Sequence, residues 1–250
     1  MDTLHCDGRQ RHIVLPEGSS VTQTYKVLVA IPAYNEEECI ASTVSELRSV
    51  APEFDFIVIN DGSKDKTLTI CRSLGCDVLN MPVNCGLTAG FRAAVKYADL
   101  HDYDCIIQFD ADGQHKPEYL HQLVDKARQT DADVVIGSRF LLYKKDKSMR
   151  MIGSRMITLS VKLMTGHRVS DPTSGFRLFN KRAIEWFVRD SSLNPEPETV
   201  ALLLKRGAKI EEIQVSMRER QGGESYLNFK KSIAYMARTL VSILFVQWFR

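Results

Sequence analysis

An α/β fold with a mostly parallel sheet covered on both faces is what this sequence predicts. Three observations lead there. Short, almost wholly apolar runs alternate with segments of helical spacing from residue 26 to residue 140. Each apolar run stops at a polar cluster rich in Asp, Asn, Gly and Ser. The length of 250 residues suits one α/β domain with decorations.

The elements follow in order. Residues 1–24 are a polar lead-in without the apolar core of a secretory signal. "KVLVAIPAY" is a β-branched apolar run, hence a strand. "NEEECIASTVSELRSV" carries Ile40, Val44 and Leu47 at helical spacing, with Asn35 as expected N-cap and Glu38 completing a capping box. "FDFIVIND" is a second strand, turning through "DGSKDKT" into the helix "LTICRSLG". "DVLNM" is a third strand and "GLTAGFRAAVKYADL" a helix. "YDCIIQFD" is a fourth strand. "KPEYLHQLVDKARQ" is a helix with Pro117 near its first turn, and "ADVVIGSRF" a fifth strand. Beyond residue 140 come a Met-rich helical segment with Arg150, Arg155 and Lys162, and the turn-rich stretch "SDPTSGFRLFN". A helix in "EPETVALLLKRG" and a strand in "AKIEEIQVSM" follow. The loop "RERQGGESYLN" then leads to an amphipathic helix reaching Arg250. The expected division is a lead-in 1–24, a domain 25–226 and a C-terminal helix 227–250.

Composition excludes some classes. Lys and Arg total 33 against 31 Asp and Glu, so overall charge does not point to nucleic acid. The six cysteines include no C-x-x-C pair and read as reduced core thiols rather than a zinc site. No run approaches the roughly 20 apolar residues that span a bilayer.

In parallel sheets, ligands bind beyond the carboxyl ends of the strands. That rule places "PAYNEE", "NDGSKD", "DADGQH" and "GSRF" along one edge. Asp110 and Asp112 can hold a hard divalent cation there, with diphosphate oxygens completing its shell; an Asp-Gly turn is the plainer alternative. Asp112 is expected to be an exposed strand-end carboxylate that contributes little to the core. Tyr34, Glu36 and Asp61 suit a nucleoside. His115 is expected to back the carboxylates or face solvent rather than ligate. Glu196 and Glu198 sit near a helix start, where the helix dipole alone accounts for acidic residues.

Together "VAIPAYNEE", "VINDGSKDKT", "NCGLTAGFRAA", "QFDADGQHKPE", "VIGSRF", "DPTSGFRLFN" and "GGES" resemble family 2 glycosyltransferases, most nearly the polyprenyl-phosphate sugar synthases related to dolichol-phosphate mannose synthase. The resemblance spans residues 26–226. It implies a GT-A fold and metal-dependent, inverting transfer from a nucleotide-diphosphate sugar, with UDP-glucose or UDP-N-acetylglucosamine the expected donor. By position, it implies that Pro32, Ala33, Tyr34, Glu36, Asp61, Asp110, Ala111 and Asp112 bind the nucleotide sugar. Asp110, Asp112 and Gln114 would hold Mg²⁺ or Mn²⁺. Asp110, Asp112, Arg139 and Arg220 form the implied catalytic set, and Arg139, Arg150 and Ser154 the implied site for an acceptor phosphate. Tyr226 stands where many relatives have a loop lysine.

The implied acceptor is a polyprenyl phosphate for cell-envelope glycan assembly, reached from the cytoplasmic membrane surface. Basic residues beside apolar stripes at 149–166 and 228–250 suit an interfacial position, and a small membrane subunit or a second copy is an implied partner. Two other readings stand beside this one. Transfer to a glycan hydroxyl would need a base, for which Glu198 is the candidate. A non-catalytic subunit of a membrane glycosylation complex is the reading outside enzymes.

Overall fold

A computed structural model describes residues 25–143, 149–219 and 229–244, without the side chains of 149–150 and 229–235. The elements run β1 (Val27–Ala33), α1 (Ile40–Val50), β2 (Asp55–Asp61), α2 (Thr67–Ser73), β3 (Asp77–Met81), α3 (Leu87–Leu100) and β4 (Cys105–Gln108). A 3-10 turn (Pro117–Tyr119), α4 (Leu120–Thr130), β5 (Val134–Ser138) and α5 (Met149–Thr165) follow. The chain continues through β6 (Arg177–Asn180), α6 (Lys181–Arg189), α7 (Pro197–Lys205), β7 (Ile210–Gln214) and α8 (Phe229–Leu244).

The strands form one seven-stranded sheet in the order β3-β2-β1-β4-β6-β5-β7. All pairings are parallel except those of β6, which runs antiparallel to both β4 and β5. The parallel α/β expectation therefore holds, with one correction. "SDPTSGFRLFN" is not turn-rich throughout: its last four residues are a central strand. The local pattern hid it because Arg177 interrupts the apolar run; the arginine is buried and satisfied by loop carbonyls. Helix α6 is likewise an element that the sequence reading left unassigned.

Alternation along each strand feeds two cores. Leu28 and Ala30 of β1 join Ile57, Ile59, Phe91 and Ile106 on the face covered by α3 and by α5 to α8. Val27, Val29 and Ile31 join Val58, Ile107 and Leu123 on the face covered by α1, α2 and α4. Cys39, Cys71 and Cys105 are buried, while Cys85 is exposed.

The C-terminal helix packs on its own domain. Thr239 and Ile243 of α8 are buried, and Met236 and Leu240 border the first core. Gly153 permits the approach of α8 to α5: a Cβ there would lie 1.8 Å from Met236 Sδ. The outer face of α5 is different. Ile152, Met156, Leu159 and Leu163 are exposed at helical spacing, beside exposed Arg155 and Lys162. Among the described residues, no helix is long and apolar enough to cross a membrane.

Candidate active site

Parallel pairing brings the ends of β1, β2, β4 and β5 to one edge, and the antiparallel β6 adds its start there. The predicted loops do converge. The first two interlock through reciprocal hydrogen bonds: Asn35 N–H donates to Ser63 Oγ at 3.0 Å, and Lys64 N–H to Asn35 Oδ1 at 2.9 Å. Glu37 N–H donates to Asp65 Oδ2 at 3.1 Å, and Lys66 N–H to Glu37 Oε2 at 2.9 Å. This overturns the N-cap expectation for Asn35. It sits at φ 56° and binds the neighbouring loop, while α1 begins at Ile40. The tertiary partner outcompeted the local cap.

Asp61 is buried, and both its oxygens accept backbone N–H groups, from Cys85 at 2.7 Å and Gly86 at 2.8 Å. It thus ties the end of β2 to the start of α3. Gly62 beside it has φ 66°, and a Cβ there would lie 2.4 Å from the carbonyl carbon of Val83, so only glycine fits. Pro32, Tyr34 and Glu36 are partly exposed along the same edge, and Ala33 is buried at the end of β1.

The two carboxylates of "DADG" have different surroundings. The Asp110 side chain is 37 % exposed. Asp112 is only 4 % exposed, and its Oδ1 accepts from Gln114 N–H at 3.0 Å. The expectation of an exposed Asp112 is therefore corrected: the loop folds back over it, and Thr43 Oγ1 of α1 donates to Ala111 O at 3.0 Å beneath. Gln114 is partly exposed, and its carbonyl accepts from Arg218 N–H at 3.0 Å. Arg218 in turn makes a fork with Glu46 of α1, at 2.8 and 2.5 Å.

His115 is 2 % exposed and faces no solvent. Its Nδ1 accepts from Asp110 N–H at 3.0 Å, and its Nε2 lies 3.5 Å from Asp110 Oδ2. The ring stacks on Phe176, with centroids 4.6 Å apart.

Arg139 follows β5 and is held by the loop before β6. Its Nε and Nη2 donate to Asp171 at 2.6 and 2.9 Å, and Nη2 also reaches Thr173 Oγ1 at 3.1 Å. Asp171 is fully buried. Burial pushes its carboxyl up, but the Arg139 hydrogen bonds and charge, with Thr173, hold it below the ordinary carboxylate range overall. Arg177 Nη2 donates to Pro172 O at 2.7 Å and Nη1 to Pro195 O at 3.3 Å, joining this loop to the start of α7. Opposite Arg177 in register, Gln108 is buried and its Oε1 has no hydrogen-bond partner among the described residues. Glu198, in the first turn of α7, has its carboxyl pushed up chiefly by burial.

Asp171, Thr173, Phe176 and Arg177 were absent from the sequence-based candidates, as were Glu46 and Arg218. One signal was available: an arginine inside "FRLF" must be paired if buried. Of the predicted residues, Ser154 is buried on α5 and Arg150 lies in that helix's first turn. Arg220 and Tyr226 lie outside the described residues.

The sequence profile of Glycosyl transferase family 2 matches residues 28–187, the stretch that includes Asp61, Asp110, Asp112, Arg139 and Asp171. The chain belongs to glycosyl transferase family 2. It is 30 % identical over 216 residues to undecaprenyl-phosphate mannosyltransferase of Micrococcus luteus, covering 81 % of this chain and 88 % of that protein. It is 26 % identical to polyprenol monophosphomannose synthase of Mycolicibacterium smegmatis, covering 84 % of each. Among solved structures it resembles glucosyl-3-phosphoglycerate synthase from Mycobacterium tuberculosis in complex with Mn²⁺, UDP-glucose and phosphoglyceric acid. There the TM-score is 0.65 at 15 % identity, over 90 % of this chain and 80 % of that one, and the fold is shared. This family 2 glycosyltransferase thus has the GT-A fold, with the edge described above as its candidate active site.

Proposed function

We propose that the enzyme transfers a hexose, with inversion, from a nucleotide-diphosphate sugar to a polyprenyl phosphate at a membrane surface. The observation that carries this reading is the gathering of Asp61, Asp110, Asp112 and Arg139 at one sheet edge. The relatives named for undecaprenyl phosphate and polyprenol support the acceptor class. UDP-glucose or UDP-N-acetylglucosamine is the donor proposed.

Asp110, Asp112 and the Gln114 side-chain carbonyl are oxygen donors only, a set that fits Mg²⁺ or Mn²⁺. Among the described residues no cluster of three or more His, Cys, Asp or Glu forms a complete metal cage. One or two carboxylates plus substrate phosphates is the usual way of holding Mg²⁺. When bound, such an ion neutralises charge on a leaving diphosphate.

The chain's own residues supply the rest. Pro32, Ala33, Tyr34, Glu36 and Asp61, with Ala111, line the nucleotide. Arg139, already oriented by Asp171, meets the acceptor phosphate with little further ordering, aided by Arg150 and Ser154. Arg220 is assigned to the donor by the family resemblance alone. A phosphate oxygen of the acceptor bonds to the anomeric carbon as the bond to the diphosphate breaks, and that electron pair leaves with the diphosphate. The acceptor is already an anion, so no general base is needed. The exposed stripe of α5, flanked by Arg155 and Lys162, suits the lipid interface at the cytoplasmic face. A small membrane subunit or a second copy completes the proposed assembly.

Incubation with radiolabelled UDP-sugars, Mg²⁺ or Mn²⁺ and membrane lipids, followed by chromatography, tests the reading. Label is expected in an acid-labile lipid; label appearing only in glycan would overturn it. A second reading, transfer to a hydroxyl, would use Glu198 as general base: it stands in the first turn of α7, the helix whose approach at Pro195 is tied by Arg177 to the loop that holds Arg139. Replacement Glu198→Gln should leave lipid-phosphate transfer nearly intact and abolish hydroxyl transfer.

A further inference from the structure

We propose that Gln108 and Gly175, with Asp110, form a subsite that reads a hydroxyl of the transferred sugar, an inference that rests on the donor reading above. Gln108 is the last residue of β4 and is 2 % exposed. Its Oε1 is buried and, among the described residues, accepts no hydrogen bond. Arg177, its neighbour in register, turns instead to the carbonyls of Ser174, Pro195 and Pro172. An unpaired buried amide opposes folding, so a residue that carries one calls for a role outside the fold.

The amide and the Asp110 carboxylate converge on one point. Gln108 Nε2 lies 3.5 Å from the position that a Cβ of Gly175 would take, and Asp110 Oδ2 and Oδ1 lie 3.6 and 3.9 Å from it. Gly175 and Asp110 are both partly exposed, so this point borders the crevice. The backbone does not demand glycine here. Gly175 lies outside the left-handed region, and a Cβ would make only ordinary contacts. A side chain would, however, take up the space that the amide and the carboxylate share.

This pairing of groups selects among the parts of a nucleotide sugar. A diphosphate oxygen only accepts, and the Asp110 carboxylate repels it unless a cation intervenes. A hydroxyl can accept from Nε2 and donate to Asp110 at once. The sheet order selects which hydroxyl. Tyr34, Glu36 and Asp61, assigned to the nucleotide, stand at the ends of β1 and β2, and Arg139, assigned to the acceptor, follows β5. Strands β4 and β6 lie between them. The transferred sugar must pass from nucleotide to acceptor, so the seam of β4 and β6 is its place, and the ribose belongs with β1 and β2.

Two substitutions test the subsite. Gln108→Leu removes the polar atoms at similar bulk, and Gly175→Ala keeps the amide but fills the shared point. The full chain is measured for Tm, for UDP affinity with Mn²⁺ by calorimetry, and for kcat/KM of lipid-phosphate transfer from UDP-glucose and UDP-N-acetylglucosamine. Each variant should keep its Kd for UDP within about twofold, as for a site apart from the nucleotide. Each should lose about 10-fold or more in kcat/KM, the scale of a lost hydroxyl contact. Gln108→Leu should hold or raise Tm, because an unpaired buried amide is removed. Full activity in either folded variant would overturn the inference. A Kd for UDP that worsens as far as kcat/KM would also overturn it, placing the contact on the nucleotide or, where Tm falls as well, making the amide a structural group. If the unaltered protein transfers neither sugar, the donor reading fails first, and this inference fails with it.

Discussion

Asp171 grips Arg139 from beneath: two guanidinium N–H groups and the Arg139 backbone N–H all reach one fully buried carboxylate. An arginine proposed to meet an acceptor phosphate is thus also half of a structural ion pair. Replacing Asp171 with Ala leaves that guanidinium without its partner. A loss of about 2–4 kcal/mol is expected, lowering Tm by roughly 2–4 °C per kcal/mol. Arg139→Lys should cost activity heavily, because an ammonium cannot reproduce the fork. Calorimetry and transfer rates on the two variants check both expectations.

The pH response of that pair has a definite sign. Asp171 is held below the ordinary carboxylate range, so its contribution to stability is present above about pH 4 and lost as pH falls through its lower folded value. The Tm difference between Asp171→Asn and the unaltered protein should therefore shrink on acidification below about pH 4.

Asp112 is buried, so truncation to alanine would mix folding with chemistry. Asp112→Asn keeps the shape and an acceptor for the Gln114 N–H. Activity should fall about 100-fold or more, the scale of lost electrostatic stabilisation, while Tm changes little. Full activity of this variant in EDTA would remove metal dependence from the proposed mechanism.

At the opposite edge of the sheet, Asp133 is fully buried and accepts from Arg182, Asn180 and the backbone N–H of Lys209. Asp133→Ala strands these donors. A destabilisation of about 2–4 kcal/mol is expected, with transfer per folded molecule unchanged because the site lies at the other strand ends. Urea titration paired with active-fraction measurements separates the two quantities.

Leu159 and Leu163 are exposed on α5 at 55 % and 72 %. A double replacement by Glu should leave Tm nearly unchanged and abolish flotation with anionic liposomes. High salt should weaken flotation of the unaltered protein if Arg155 and Lys162 contribute, since exposed charges are screened beyond roughly 10 Å at 0.1 M. Flotation that survives the double replacement would remove α5 from the membrane-facing surface.

The sequence by itself determined the parallel α/β architecture, the edge on which the loops gather, and the place of Asp110 and Asp112 at the end of the fourth strand. Those features follow from local rules: apolar runs, helical spacing and turn residues each act within a few positions. Only the tertiary structure decided the direction of β6, the burial of Asp112, the hold of Asp171 on Arg139 across 32 positions, and that of Glu46 on Arg218 across 172. Asn35 shows the reason most directly. Its local sequence favours a helix cap, yet its side chain serves Lys64, 29 positions away. A polar side chain takes the partner that folding brings within reach, and that partner has no trace in the spacing of its neighbours.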